Sequence, residues 1–121
     1  MSLHKIWTNV LALVIIGTSA HAAPFDGLYA PESGYADWSC NPEEIGMGGG
    51  AVAVRDGYLY GVESECELVN PTNVRGMNAV LYDAICTGEG EEYSYRVMMM
   101  RQDTGIYLVQ DGFVSDWRNC Q

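Results

Sequence analysis

Three glutamates at alternate positions, Glu63, Glu65 and Glu67, are the residues whose type and spacing most directly suggest chemistry. Alternate side chains of a β-strand share one face and lie about 6.6 Å apart. Such a row of carboxylates could form half of a calcium site, a binding surface for a cationic protein, or an acid/base pair. A solvated outer face, matched across the sheet by arginine, is the alternative. The spacing fits neither the EF-hand loop nor another known calcium loop.

A second group of acids, Glu89, Glu91 and Glu92, surrounds a turn at Gly88–Gly90. Acids at the tip of a turn are usually solvated. If one of the first three glutamates faced one of these across a cleft, the two would form a glycosidase-like pair. Such a pair needs carboxyl groups about 5–9.5 Å apart and one raised pKa. A glycan hydrolase that works with carboxylates alone therefore stays open as one possible function.

The first 22 residues have the order of a secretory signal peptide. They are polar and basic to Lys5, apolar over Val10–Ile16, and end in Ala20-His21-Ala22, an A-x-A cleavage site. We therefore expect a mature chain of residues 23–121, which is long enough for one exported domain, in the periplasm or the outside medium. No second apolar run in the sequence approaches the ~20 residues that a membrane span needs.

The predicted mature chain contains neither lysine nor histidine. This composition excludes Ser-His-Asp triads, Cys-His dyads, Ser-Lys pairs and Schiff-base lysines, and it removes the usual imidazole ligands of zinc. The glycine-rich segment Gly46–Gly50 lacks the Lys-Ser/Thr ending of a phosphate-binding loop. Met98–Met100 alternate in direction along a strand, so they do not converge on a copper ion. We expect no cofactor, no metal and no enzymatic activity.

Charge is the second constraint on function. The mature part holds all sixteen acidic residues of the chain against five arginines, which gives a net charge of −11. A chain this acidic repels nucleic acid, whose binding depends on basic patches. It attracts cationic proteins, so a cationic protein is the partner we expect. Charge that only keeps the protein soluble is the alternative.

Four cysteines behind an export signal predict two disulfides in an oxidising compartment. We favour the pairs Cys40–Cys66 and Cys86–Cys120. Hairpin register around a predicted turn at Asp56-Gly57 brings Cys66 within reach of Cys40. The same reasoning leaves Cys66 and Cys86 several residues out of register, beyond the ~7 Å between Cα atoms that a disulfide allows.

The Cys40–Cys120 pairing stays open as an alternative. Trp38-Ser39-Cys40 and the segment Trp117–Cys120 both place a tryptophan shortly before a cysteine, as two matched ends of a domain would. We also expect Trp38 and Trp117 to be contact residues near the ends of the acidic strand face.

Short runs rich in Val, Tyr, Leu and Ile, punctuated by glycine, predict an all-β domain. Asp56-Gly57 is a strong signal for a two-residue hairpin turn, and Asn70-Pro71 is expected to end a strand. Within Tyr58–Val69 the even positions form the apolar face. We expect a meander of six to eight antiparallel strands, closed or nearly closed into a small barrel. The expected strands are Phe25–Ala30, Ala51–Arg55, Tyr58–Val69, Asn78–Thr87, Glu92–Gln102, Ile106–Gln110 and Phe113–Cys120.

Five short motifs cover most of the mature chain: Phe25–Tyr29, Trp38–Cys40, Val62–Cys66, Cys86–Gly90 and the terminal Cys120. Together they resemble small exported four-cysteine proteins of unknown function from alphaproteobacteria, a family that implies no activity. In size, compartment and all-β character the chain is also similar to periplasmic inhibitors of c-type lysozyme. That second likeness is one of architecture, and it carries over no functional residue.

The sequence therefore predicts an exported, non-catalytic β-domain that acts by binding or structural contact through an acidic surface. An inhibitor of a cationic cell-wall hydrolase is one alternative, in which an acidic strip meets a basic active-site rim. A carboxylate-only glycan hydrolase is another. The binding residues we expect are Glu63, Glu65, Glu67, Trp38 and Trp117.

Overall fold

The alternating, glycine-punctuated segments form eight antiparallel strands that follow one another around a closed barrel. The computed structural model describes residues 24–121, and the predicted signal peptide, 1–22, lies outside the described residues. The all-β class, the barrel and the two disulfides are confirmed. The strands are β1 (Gly27–Pro31), β2 (Val52–Arg55), β3 (Tyr58–Gly61), β4 (Ser64–Asn73), β5 (Ala79–Gly88), β6 (Glu91–Gln102), β7 (Gly105–Gln110) and β8 (Phe113–Asn119).

Closure of the barrel joins its first strand to its last. β1 pairs with β8, with Tyr29 opposite Asn119 and Pro31 opposite Trp117. Among the eight strands of residues 24–121 no edge strand is left over, so the backbone of each strand has a partner on both sides over part of its length. Within the described range, no helix has the length and apolar character that a membrane span needs.

The hairpin turn at Asp56-Gly57 is confirmed. Asp56 has a φ of 53° and Gly57 a φ of 80°, and they join β2 to β3 with Arg55 opposite Tyr58. Two successive positive φ angles are what a two-residue hairpin of this kind needs, which is why Asp-Gly marks it so well in a sequence.

The long strand predicted over Tyr58–Val69 is wrong, because the chain turns in its middle. Val62 and Glu63 form a second two-residue turn between β3 and β4, and Glu63 has a φ of 52°. The turn reverses which positions face inwards. Leu59 is buried in β3 and Cys66 is buried in β4, so the even-numbered apolar face that was predicted for the whole segment does not exist.

The prediction that Asn70-Pro71 ends a strand is also wrong. β4 runs on to Asn73, with a register shift against β5 between Val69 and Thr72. The pairing of β4 with β3 reaches only as far as Glu67, so Pro71 lies where β4 has one neighbour. A proline without an N–H is tolerated at such an edge or bulge.

The turn at Val62-Glu63 also explains why the favoured disulfides, Cys40–Cys66 and Cys86–Cys120, are wrong. β4 and β5 pair so that Cys66 lies directly opposite Cys86, with 3.9 Å between their Cα atoms, and the two are bonded. The out-of-register argument failed because it treated β3 and β4 as one strand.

The second disulfide, Cys40–Cys120, is the alternative that the sequence left open. Its Cα atoms lie 5.6 Å apart. The backbone N–H of Cys120 donates to the carbonyl of Leu28, which extends the pairing of β1 with β8. The long connection between β1 and β2 runs back along the barrel, where the N–H of Cys40 donates to the carbonyl of Gly50.

One end of the barrel is closed by the residues that precede β1. Phe25 is 1% exposed and packs edge-on against Tyr82, with 6.5 Å between ring centroids. The Tyr29 hydroxyl donates to the carbonyl of Phe25, and Arg101 both donates to the carbonyl of Pro24 and lies over the Phe25 ring. We call this the closed end and the opposite one the mouth.

Gly105, at the start of β7, is a position where another residue cannot fit. A Cβ there would lie 1.9 Å from the carbonyl oxygen of Trp117 on β8. We expect Gly105→Ala to lower the free energy of unfolding by about 3 kcal/mol, because β7 and β8 must separate.

Gly112→Ala is the matched control, since its Cβ meets nothing within 4 Å and only its φ of 75° is unfavourable. We expect it to cost about 1 kcal/mol in urea titrations. Equal losses would contradict the close approach.

Alkaline pH is expected to weaken the fold. Burial raises the pKa of Tyr29, Tyr82 and Tyr95 above the usual tyrosine range. These phenols are neutral in both states below about pH 10, where the unfolded chain begins to ionise them. Their contribution is therefore complete below that pH and is lost as pH rises from it through the folded pKa values. Urea unfolding at pH 8 and pH 11 measures the loss, and equal stability at both would contradict it.

Candidate functional site

β4 presents two of the three predicted glutamates to solvent. Cys66 points into the barrel, so Glu65 and Glu67 on either side of it point out, and both are exposed. Their neighbours on the same outer surface are Tyr58 and Tyr60 of β3 and Ile85 and Thr87 of β5. We call these six residues the acidic face.

No arginine lies directly opposite these glutamates. Glu65 is flanked by Tyr60 and Thr87, and Glu67 by Tyr58 and Ile85. Within residues 24–121, the side-chain ion pairs are Arg96–Asp83 and Arg118–Asp116, and neither includes a residue of the acidic face. An arginine directly across the sheet, which a solvated outer face was expected to have, is therefore missing, and neither carboxylate forms an ion pair within the described residues.

Glu63 reaches the same region from the turn rather than from the strand. Its backbone N–H donates to the carbonyl of Gly46, which ties the turn to the long connection between β1 and β2. An open groove of about 510 Å³ lies between them and is lined by both Glu63 and Glu65. The prediction that all three glutamates share one strand face is wrong for Glu63, but the fold still brings it beside Glu65.

Apolar and aromatic groups border the charge. The rings of Tyr58 and Tyr60 lie 6.1 Å apart, and the guanidinium of Arg55 lies 5.6 Å from the centre of the Tyr60 ring. Ile85, directly opposite Glu67, is 54% exposed. Aromatic side chains in contact with a charged rim are typical of protein-binding surfaces.

The two tryptophans that were expected beside the acidic strip lie elsewhere. Trp117 is 9% exposed and faces the barrel interior, with its ring 6.1 Å from that of Tyr29. Trp38 lies in the connection between β1 and β2, where it is partly buried and packs against the core. The fold does not bring either indole to the acidic face.

The second acidic group divides between two surfaces. Glu92 pairs with Thr87 and so extends the outer row that contains Glu65, about 10 Å further along the sheet. Glu89 lies in the β5–β6 turn, and Glu91 pairs with Gly88 at the mouth. Within the part of the chain that the structure describes, no three His, Cys, Asp or Glu side chains are placed to hold a metal ion.

Sequence reasoning missed the part of the acidic face that β3 and β5 supply. Ile85 was visible only as one apolar residue of a strand, because its exposure depends on which alternate positions of β5 face inwards. Cys86 fixes that choice, since its disulfide to Cys66 lies inside the barrel. A correct pairing of the cysteines would therefore have shown that Ile85 and Thr87 face solvent.

Comparison with known proteins gives this chain no relative: no protein-family model matches it, and neither a curated protein nor a solved structure matches it significantly.

Proposed function

We propose that this protein is an exported, non-catalytic binding domain that captures a cationic protein through the acidic face. The observation that carries the proposal is the pair of exposed carboxylates on β4, Glu65 and Glu67, whose strand neighbours are tyrosine, threonine and isoleucine rather than arginine. The two carboxylates share one face of β4 at alternate positions, and like charges this close repel each other weakly in water. A cationic partner would relieve that repulsion.

The side chains that surround the two carboxylates support a protein as the partner. Tyr58, Tyr60 and Ile85 offer apolar contact area beside the charge, and aromatic groups of this kind supply much of the binding energy in protein interfaces. The carboxylates would mainly steer the encounter and select a basic partner, because rim charges act on the association rate and on specificity.

The partner we favour is a basic cell-wall hydrolase, which makes the protein an inhibitor of such an enzyme. Two disulfides support an oxidising, exported compartment, where wall hydrolases act. The groove beside Glu63 and Glu65 would receive a basic residue from the rim of the hydrolase. A hydrolytic role is less well supported, because both of these carboxylates are exposed to water whereas a general acid depends on a shielded carboxyl.

Removal of charge from the face tests the proposal. We expect Glu65→Gln/Glu67→Gln to weaken binding to a c-type lysozyme, used as a basic wall hydrolase, by at least about ten-fold at low ionic strength. The measurement is calorimetric titration, repeated at about 0.15 M salt, where screening reduces the difference. Inhibition of wall hydrolysis is recorded in parallel and is expected to fall with the affinity.

The matched control is Glu32→Gln/Asp103→Asn, which removes two exposed acids that lie near the end of β8, in a pocket that contains no residue of the acidic face. It changes the net charge equally and is expected to leave the affinity within two-fold of the original. If the two double variants weaken binding to the same extent, the attraction comes from overall charge and the acidic face is not the site. If the unaltered protein does not bind the lysozyme, the hydrolase partner is wrong.

A further inference from the structure

The barrel interior opens to solvent at the mouth and contains a cavity that the acidic face does not use. Its volume is about 450 Å³, within the range of small-molecule pockets. Leu59, Leu108 and Trp117 line its deep part, and Ser64, Gln110 and Ser115 line its sides. At the closed end, the buried Phe25 ring occupies the corresponding position against Tyr82. Eight-stranded barrels of this size can hold one small ligand inside.

Two tyrosines of β6 form one wall of the cavity. The rings of Tyr93 and Tyr95 stack at an interplanar angle of 13°, with 6.3 Å between their centres. Tyr93 is 43% exposed at the mouth, and Tyr95 reaches inwards until its hydroxyl lies 3.8 Å from the sulfur of Cys66. A tyrosine ring attracts a positive charge placed over its face through the ring quadrupole, and these two rings are the aromatic groups of β6 that line the cavity.

The described residues that line this cavity offer no positive charge that could stabilise an anion. The groups that line it include no arginine, carboxylate or other ionised side chain within the described residues. Burial, with a smaller contribution from Tyr93, raises the pKa of Tyr95, so its phenol stays neutral at physiological pH. An anion that entered would find hydroxyl and amide donors but no positive charge.

The turns around the mouth are acidic. Glu63 lies in the β3–β4 turn, Glu89 in the β5–β6 turn and Asp111 in the β7–β8 turn. Glu91 is the first residue of β6 and, two residues before Tyr93, lies on the same side of that strand. These positions adjoin the lining residues Ser64, Tyr93 and Gln110.

The arginines lie elsewhere. Four of the five arginines lie at or near strand ends, or in the β4–β5 connection, on the side of the closed end. Arg96 lies midway along β6, where it pairs with Asp83. The other four are Arg55, Arg75, Arg101 and Arg118. The rim of the mouth therefore carries charge of one sign, and it concentrates cations in front of the cavity.

From these observations we infer that the mouth cavity binds a small organic cation. The apolar body of the ligand lies between the tyrosine wall and Trp117, and its ammonium group lies at the mouth beside Tyr93 and the acidic rim. This site is separate from the acidic face and does not depend on the proposed function.

Calorimetric titration of the disulfide-bonded protein at low ionic strength tests the inference with three probes of similar size. These are benzyltrimethylammonium, neutral benzyl alcohol and anionic phenylacetate. We expect the cation to bind at least about ten-fold more tightly than the other two, and its binding to weaken as salt is added. Shifts of the ring signals of Tyr93 and Tyr95 in NMR spectra locate the bound cation.

Variants identify the groups responsible. Tyr93→Leu keeps apolar bulk but removes the π face, and we expect it to weaken binding of the cation about three- to ten-fold. Tyr58→Leu makes the same change on the acidic face and is expected to have no effect. Glu91→Gln is expected to weaken binding about two- to five-fold at low salt only. Ser115→Phe fills the cavity and is expected to abolish binding.

Four outcomes would overturn the inference. They are equal affinity for the three probes, absence of binding of the cation at millimolar concentration, binding that survives Ser115→Phe, or an equal loss in Tyr93→Leu and Tyr58→Leu. Glu65→Gln/Glu67→Gln is expected to leave binding of the cation unchanged. If it abolishes binding, the cation occupies the acidic face instead, which separates failure of this inference from failure of the proposed function.

Discussion

The pairing of β4 with β5 is the constraint on which the rest of the structure depends. It places Cys66 opposite Cys86 in the barrel interior, where the disulfide fixes the register. Because side chains alternate along a strand, a slip of one residue would exchange the inner and outer surfaces of the whole strand. The disulfide therefore also decides that Glu65, Glu67 and Ile85 face solvent.

The same strands carry two unlike surfaces as a result. On the outside, Glu65 and Glu67 present charge without a cation across the sheet. On the inside, Ser64 and Cys66 of β4 line an uncharged cavity. Exposure to solvent makes the outer repulsion tolerable, because water and salt screen it. The inner surface could not accept such charges, since an unpaired ion in the interior costs far more. Alternation thus separates the surface that we propose to bind a protein from the space that we propose to bind a small molecule.

Closure of the barrel sets the second division, between a filled end and an open one. Pairing of β1 with β8, extended by the Cys40–Cys120 disulfide, holds the residues that immediately precede β1 against the barrel. Phe25 then fills the closed end and Arg101 covers it. The mouth instead opens onto the cavity beside Tyr93, and its turns are acidic. The asymmetry therefore comes from Pro24 and Phe25, which precede β1, rather than from the strands.

Local signals in the sequence predicted the fold class and the Asp56-Gly57 turn, because Asp-Gly tolerates the positive φ angles that such a turn needs. They missed the turn at Val62-Glu63. Neither residue favours such a turn, and a glutamate with positive φ is rare, so nothing local marks the reversal.

The wrong disulfides and the mistaken apolar face both followed from that single omission. Trp117 could not be placed either. The direction in which its side chain points depends on the pairing of β8 with β1, and that contact joins the two ends of the domain.

Disulfide mapping of the unreduced protein after cleavage by trypsin tests this register most directly. Cleavage after arginine separates the four cysteines into four peptides: the one that ends at Arg55, and those of residues 56–75, 76–96 and 119–121. The structure predicts that 56–75 is linked to 76–96, and that 119–121 is linked to the peptide that ends at Arg55. A link from 56–75 to the peptide that ends at Arg55, or from 76–96 to 119–121, would contradict the β4–β5 register. The acidic face and the mouth cavity would then both lose their structural basis.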